Sequence, residues 1–305
     1  MVRPDLVRSL TLLASLLLAG TAYPLGLKVS PGGALIQGVT PGERVELATP
    51  LTILNDDDQP HAITLTALKP SKVGMRPPTG YADIPDPAWL SFSESTVTVP
   101  ARGHAAVKMA LSVPGKSEHY NQHWSVALAV RSKPEAGQML TIGLYPRFEI
   151  ETVPPPIESS LWKRGTPPYG DLVVTPSVET VGKLKPGDKP RRVPLRVWNN
   201  TDKPWRGEAS VLTAEQAKTA RIDLSGGWTW LPDPAWAKPS SAAMTINGHR
   251  STTLEVDVAV PDGKERYGGA WEGIVLLKSL DGPVAFARLR LASIPLDAAT
   301  QSSGK

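Results

Sequence analysis

The chain has 305 residues and a net charge of +4, with its 33 Lys and Arg scattered and not gathered in a block. That length is enough for two hydrophobic cores, and that charge pattern excludes the cationic footprint of a nucleic-acid binder. Thirty-one prolines exclude long helices, since an interior proline removes a backbone donor, and the lack of cysteine excludes disulfides and thiolate chemistry.

Arg3 and Arg8 come first, around a short polar start, and an apolar run from Leu10 to Gly20, LTLLASLLLAG, follows. Gly20-Thr21-Ala22 supplies the small residues a signal peptidase requires, and the run is short for a membrane span. Residues 1–22 are therefore expected to be a signal peptide and the protein to be exported, to the periplasm or the cell surface; an uncleaved anchor is the alternative. No second apolar run follows, so no membrane span is expected after cleavage. An exported chain without disulfides must draw its stability from core burial, which a sizeable sandwich can supply.

Residues 23–152 are predicted to form the first domain. Val107, Met109, Leu111 and Val113 alternate with polar or small residues, as in a strand with one face to the core and one to water, and Trp124, Val126, Leu128 and Val130 share one face of the next strand. NDDDQ, from Asn55 to Gln59, offers clustered oxygens that could hold Ca²⁺, but such clusters between strands favour hydrogen-bonded turns. His119 and His123 stand four apart, which on a strand separates them by about 13 Å, too far for a shared metal without further ligands.

Residues 153–170 are predicted to be a linker. Three successive prolines, Pro154 to Pro156, favour a stiff extended spacer.

Residues 171–296 form a second copy of the first unit. DPAW at Asp86–Trp89 recurs at Asp233–Trp236, 147 residues on (233 − 86). At that offset Gly80 meets Gly227, Tyr81 meets Trp228, Tyr120 meets Tyr267, and Trp124 meets Trp271, without a gap. Upstream, LTILNDDDQP parallels LRVWNNTDKP, with Asn55 over Asn199. The chain is a tandem duplication. In each DPAW the Asp-Pro fixes a turn that delivers Trp89 or Trp236 to the end of a core; with Tyr120, Tyr267, Trp124 and Trp271 these are structural repeat positions. Thr213–Arg221, TAEQAKTAR, is predicted to be a short helix with a threonine cap, falling in the same connection as KPSKVGMRPPTG in the first copy. In SGGWTW, Trp228 and Trp230 share one face of an extended segment, with Trp205 and Trp236 expected nearby. Such a patch could bind a glycan or a protein partner, or pack within the protein. Residues 297–305 are expected to be a disordered tail.

The segment WLSFSESTVTVPARGHAAVKMALSVP, from Trp89, resembles a widespread bacterial immunoglobulin-like theme: Trp89-Leu90, then Val97-Thr98-Val99-Pro100-Ala101, Gly103, Val113-Pro114 and Tyr120. The second copy departs from it at Ala237 and at Asn247-Gly248. The resemblance covers the latter half of each unit and implies an all-β fold of two tandem immunoglobulin-like antiparallel sandwiches. Such domains serve as spacers, adhesin stalks, glycan-binding accessories or parts of surface assemblies. A two-sandwich exported protein is also similar in architecture to the periplasmic pilus chaperones, which lend an edge strand to a subunit and anchor its C-terminal carboxylate with a basic pair. No such pair can be assigned to residues here.

Neither a nucleophile elbow, a phosphate-binding glycine loop nor a zinc-protease helix is present. No enzyme activity, metal or cofactor is expected. The leading reading is an exported structural or protein-interaction protein, within an appendage or envelope assembly. A pilus-type chaperone acting by strand addition is the first alternative. A carbohydrate-binding accessory using Trp228, Trp230 and Trp205 is the second.

Overall fold

The computed structural model describes residues 26–132, 143–154 and 170–296. The expected signal peptide, all but the ends of the expected linker, and the expected tail lie outside the described residues. Within them the fold is all-β, in two sandwiches.

In the first sandwich, β1 (Leu27–Ser30), β4 (Leu51–Asn55) and β9 (His104–Val107) form one ladder. β3 (Arg44–Glu46), β10 (Met109–Ser112) and β7 (Leu90–Phe92) form a second ladder, and β9 leads into β10 across Lys108. The opposing sheet runs β2 (Gly33–Val39), β13 (Arg147–Thr152), β11 (His123–Ser132), β5 (His61–Leu68), β8 (Thr96–Val99). Two short strands, β6 (Ala82–Asp83) and β12 (Gly143–Leu144), pair with β11. The second sandwich repeats this order. One sheet runs β14 (Leu172–Thr175), β16 (Arg191–Asn199), β21 (Arg250–Val258), β19 (Ala237–Pro239). The other runs β15 (Val178–Leu184), β23 (Ala285–Ser293), β22 (Ala270–Lys278), β17 (Trp205–Val211), β20 (Ala243–Ile246), with β18 (Thr229–Trp230) on β22.

Most pairings are antiparallel; besides the short β6 and β18, which run parallel to β11 and β22, β2 runs parallel to β13 and β15 parallel to β23. The first strand of each unit explains this. It leaves one sheet at a cis proline, Pro31 or Pro176, crosses the sandwich edge, and continues along the last strand of the other sheet in the same direction.

Each sandwich has its own core, one around Leu51, Ile53, Leu111, Trp124, Leu128 and Phe148, the other around Leu195, Leu254, Val256, Trp271, Leu277 and Leu289. The duplicated turn does the same job in both. Asp86 accepts a hydrogen bond from the Ala88 amide at 2.9 Å and Asp233 from the Ala235 amide at 2.8 Å, capping a single 3₁₀ turn. That turn sets Trp89 edge-on to Trp124, ring centroids 5.4 Å apart, and Trp236 edge-on to Trp271 at 5.1 Å. Tyr120 and Tyr267 each end the 3₁₀ turn that leads into the central strand. Asn55 closes its loop by donating to the Gln59 and Pro100 carbonyls, and Asn199 does so to those of Lys203 and Ile246.

The helix α1 (Ala214–Thr219) carries a full capping box, in which Thr213 and Gln216 bond each other's backbone amides. A third apolar cluster lies between the sandwiches: Tyr81, Leu212, Ala217, Ile222, Ile274, Leu276 and Phe286. It accounts for a departure from simple alternation. Along β11 and β22 nearly every residue is buried, including Ser125 and Glu272 on the faces away from their own cores. Those faces meet the other sandwich instead of water.

Candidate functional site

The site is the contact between the seven-stranded sheet of the first sandwich and the six-stranded sheet of the second. β13 and β11 present Glu149, Glu151 and His123 on the face away from the first core, because alternation sends Phe148, Ile150 and Trp124 inward. β23 presents Phe286, Arg288 and Arg290 in the same way, while Ala287, Leu289 and Leu291 fill the second core.

Arg288, fully buried, is the centre. Its Nε donates to Glu151 Oε2 at 2.8 Å and its Nη2 to Glu151 Oε1 at 2.7 Å, across the interface. Nη1 donates to Glu272 Oε1 at 2.7 Å and to the Asp223 carbonyl at 2.8 Å. Arg290 takes the other oxygen of Glu272, Nε to Oε2 at 2.9 Å, and donates to Ser225 Oγ at 2.8 Å. Gln37, on β2, then bridges the two sides by donating to Glu151 Oε2 at 2.7 Å and to Ser225 Oγ at 2.9 Å. Tyr81 donates its hydroxyl to Glu151. The cluster therefore has two arginines against two glutamates with their lone pairs and donors matched, the condition under which buried ions are tolerated.

Electrostatics follow from that geometry. Burial works to raise the Glu151 carboxyl, but the positive charges of a protonated His123 and of Arg288, with the Arg288 and Tyr81 hydrogen bonds, hold it down at about 2. Burial pushes the Tyr81 phenol up, and the Glu151 charge adds to that. Burial also drives the His123 imidazole down to about 4, so the ring is neutral in neutral solution. It stacks on Phe286 at 4.1 Å, and its Nε2 has no hydrogen-bond partner. Glu149 is raised by burial despite Arg147, which bonds it at 2.5 Å.

A second clamp lies at Asn121. Its Nδ2 donates to the Val174 carbonyl at 2.7 Å and its Oδ1 accepts from the Ser177 amide at 2.5 Å, tying the loop before β11 to the first strands of the second sandwich. Gly80 has φ +79°, and a Cβ there would meet Phe286 at 2.5 Å, so the turn needs glycine for both its conformation and its packing.

The aromatic residues singled out from the sequence are distributed differently from the expected patch. Trp205 is buried in the second core, where its Nε1 donates to the Pro283 carbonyl at 2.9 Å. Trp236 is buried against Trp271. Trp230 is half-buried against the apolar cluster between the sandwiches, and Trp228 is half-buried with the Arg290 guanidinium 5.3 Å from its ring. The two tryptophans of SGGWTW thus border the interface, away from Trp205. His119 packs between Trp89 and Trp124, while His123 faces the other sandwich. Among the described residues no group of three or more His, Asp or Glu is placed to hold a metal ion.

Free strand edges are the other feature with chemical consequence. β2, GALIQGV, pairs with β13 on one side and with no strand of the described residues on the other. It contains no charge and no proline. Its counterpart β15, VETVGKL, carries Glu179 and Lys183. Charged residues are how natural edges discourage added strands, and β2 lacks them.

No protein-family model matches the chain, and no curated protein matches it by sequence. Solved structures match it in fold. A protein of unknown function from Porphyromonas gingivalis W83 is 15% identical, covering 87% of this chain and 99% of its own, with a TM-score of 0.32. The E. coli chaperone DraB is 11% identical, covering 88% and 99%, with a TM-score of 0.30. A complex of the Salmonella enterica SafA pilin with the SafB chaperone matches at 10% identity, covering 88% and 97%, with a TM-score of 0.31. At these values the likeness is one of fold and assigns no residue a role.

Proposed function

We propose that this is an exported, non-enzymatic protein-binding protein of the bacterial envelope that holds an extended segment of another protein by strand addition. The observation that carries the reading is the β2 edge: seven residues, uncharged, without proline, and open on one side among the described residues, in a chain whose second copy has charges at the equivalent strand. An added strand would gain main-chain hydrogen bonds there, with side-chain specificity from alternate positions. The buried ion cluster serves this work by fixing the two sandwiches in one arrangement. Its two arginines and two glutamates are hydrogen-bonded to one another, which supports a structural role. One of the similar structures holds a pilin with its chaperone, and the proposal gives this chain work of that class. Of the earlier alternatives it takes up the chaperone-like one; the glycan reading loses Trp205 to the second core.

The test is site-specific photo-crosslinking in the native host, with the photoreactive residue at Leu35 on β2 or at Thr180 on β15. A discrete crosslinked protein at Leu35, absent at Thr180, is expected. No crosslink at Leu35, or equal crosslinking at both strands, contradicts the proposal.

A further inference from the structure

The connections in which the two copies differ most face one another. The segment 69–80 of the first sandwich, KPSKVGMRPPTG, and the helical segment 213–221 of the second, TAEQAKTAR, meet where the Thr79 amide donates to the Ala220 carbonyl at 3.2 Å. Between them lies a cavity of about 500 Å³, lined by Met75, Arg76, Pro77, Pro78, Thr79, Arg147 and the helix end with Arg221.

Three arginines, Arg76, Arg147 and Arg221, are among the lining residues. Arg147 is partly neutralised by Glu149. Arg76 and Arg221 are exposed and make no ion pair or side-chain hydrogen bond among the described residues, although nine other Lys or Arg of the described residues do pair with carboxylates. Segment 69–80 contributes Lys69, Lys72 and Arg76 and no acid. Arg221 also stands just past the helix end with φ +58°, a conformation glycine adopts freely and arginine does not. The Ala220 carbonyl at the helix end accepts from the Thr79 amide.

We propose that this cavity binds a phosphate monoester of modest size. Unpaired guanidinium forks match the oxygens of a phosphoryl group, Thr79 adds a short polar side chain, and Met75, Pro77 and Pro78 offer an apolar wall to the organic part of the ligand. The large apolar side chains that are exposed, Leu54, Leu280 and Leu296, are not among the lining residues, so the cavity lacks the apolar rim by which a membrane surface would engage it. The inference does not depend on whether β2 takes a strand.

The experiment uses the full chain with ¹⁵N-labelled arginine, titrated with inorganic phosphate, phenyl phosphate, benzoate, and vesicles of phosphatidylglycerol in phosphatidylcholine. Inorganic and phenyl phosphate are expected to bind saturably and to shift a small set of Arg Nε–H signals. In the double variant Arg76→Gln/Arg221→Gln both should weaken by at least about tenfold, whereas Arg102→Gln, which removes a surface partner of Asp58, should leave them unchanged. The proposal is overturned if neither phosphate binds saturably, if binding survives the double variant, if benzoate binds as well as phenyl phosphate, or if only the vesicles bind.

Discussion

Arg288 of the second sandwich and Glu151 of the first form a buried bidentate ion pair, with donor–acceptor distances of 2.8 and 2.7 Å, and that pair joins two domains that alternation alone would leave as separate units. Removing one partner of such a pair strands the other charge out of water, a loss of about 3–5 kcal/mol. Arg288→Met is therefore expected to destabilise the protein by that amount in chemical denaturation at neutral pH. It should also split a single unfolding transition into two, since Glu151 and Glu272 would then repel across the contact. At acid pH, where Glu151 can protonate, the deficit should shrink.

His123 supplies a separate pH dependence. Its ring titrates at about 4 in the folded protein against 6.5 when unperturbed. Between those values the unfolded chain binds a proton the folded one does not, so stability present above pH 6.5 is lost as pH falls toward 4, by up to about 3 kcal/mol. Glu151, held at about 2 against 4.5, adds a second loss only below pH 4.5. His123→Phe keeps a ring on Phe286 and should flatten the melting temperature between pH 6.5 and 4.5; because a protonated His123 also holds Glu151 down, the fall below pH 4.5 should become shallower too.

The duplicated turns make a paired prediction. Asp86→Ala and Asp233→Ala each remove a side-chain cap and should cost about 0.5–2 kcal/mol, additively, because the two caps lie in different cores. A double-mutant cycle on Trp236 and Trp271 should show a coupling of about 0.5–1.5 kcal/mol, read by denaturation.

What was legible in the sequence, and what was not, divides along the same physical line. The DPAW turns and the paired tryptophans recur 147 residues apart, Asn55 and Asn199 recur 144 apart (199 − 55), and the Thr213 cap is legible in its own local sequence; all act within a few residues or within one core. The interface residues hide because Glu149 and Glu151 alternate with Phe148 and Ile150, and Arg288 and Arg290 with Leu289 and Leu291, which is the pattern of a strand facing water. The signal that was present lies in comparing the copies. The last strand of the first unit carries acids on its outward face and that of the second carries arginines, and Glu272 replaces Ser125. Only opposed charge on matching faces separates an interface from a solvated surface. For the aromatic patch, the sequence could not place Trp205, whose position depends on the sheet that buries it.

The account turns on the two sandwiches being clamped in one arrangement by the Arg288 cluster. With no native cysteine, spin labels at Lys108→Cys and Lys238→Cys, both exposed, report the distance between domains without interference. A single narrow distance distribution, broadened by Arg288→Met, is the result predicted. A broad distribution in the otherwise unaltered protein, as for two beads on a tether, would contradict it.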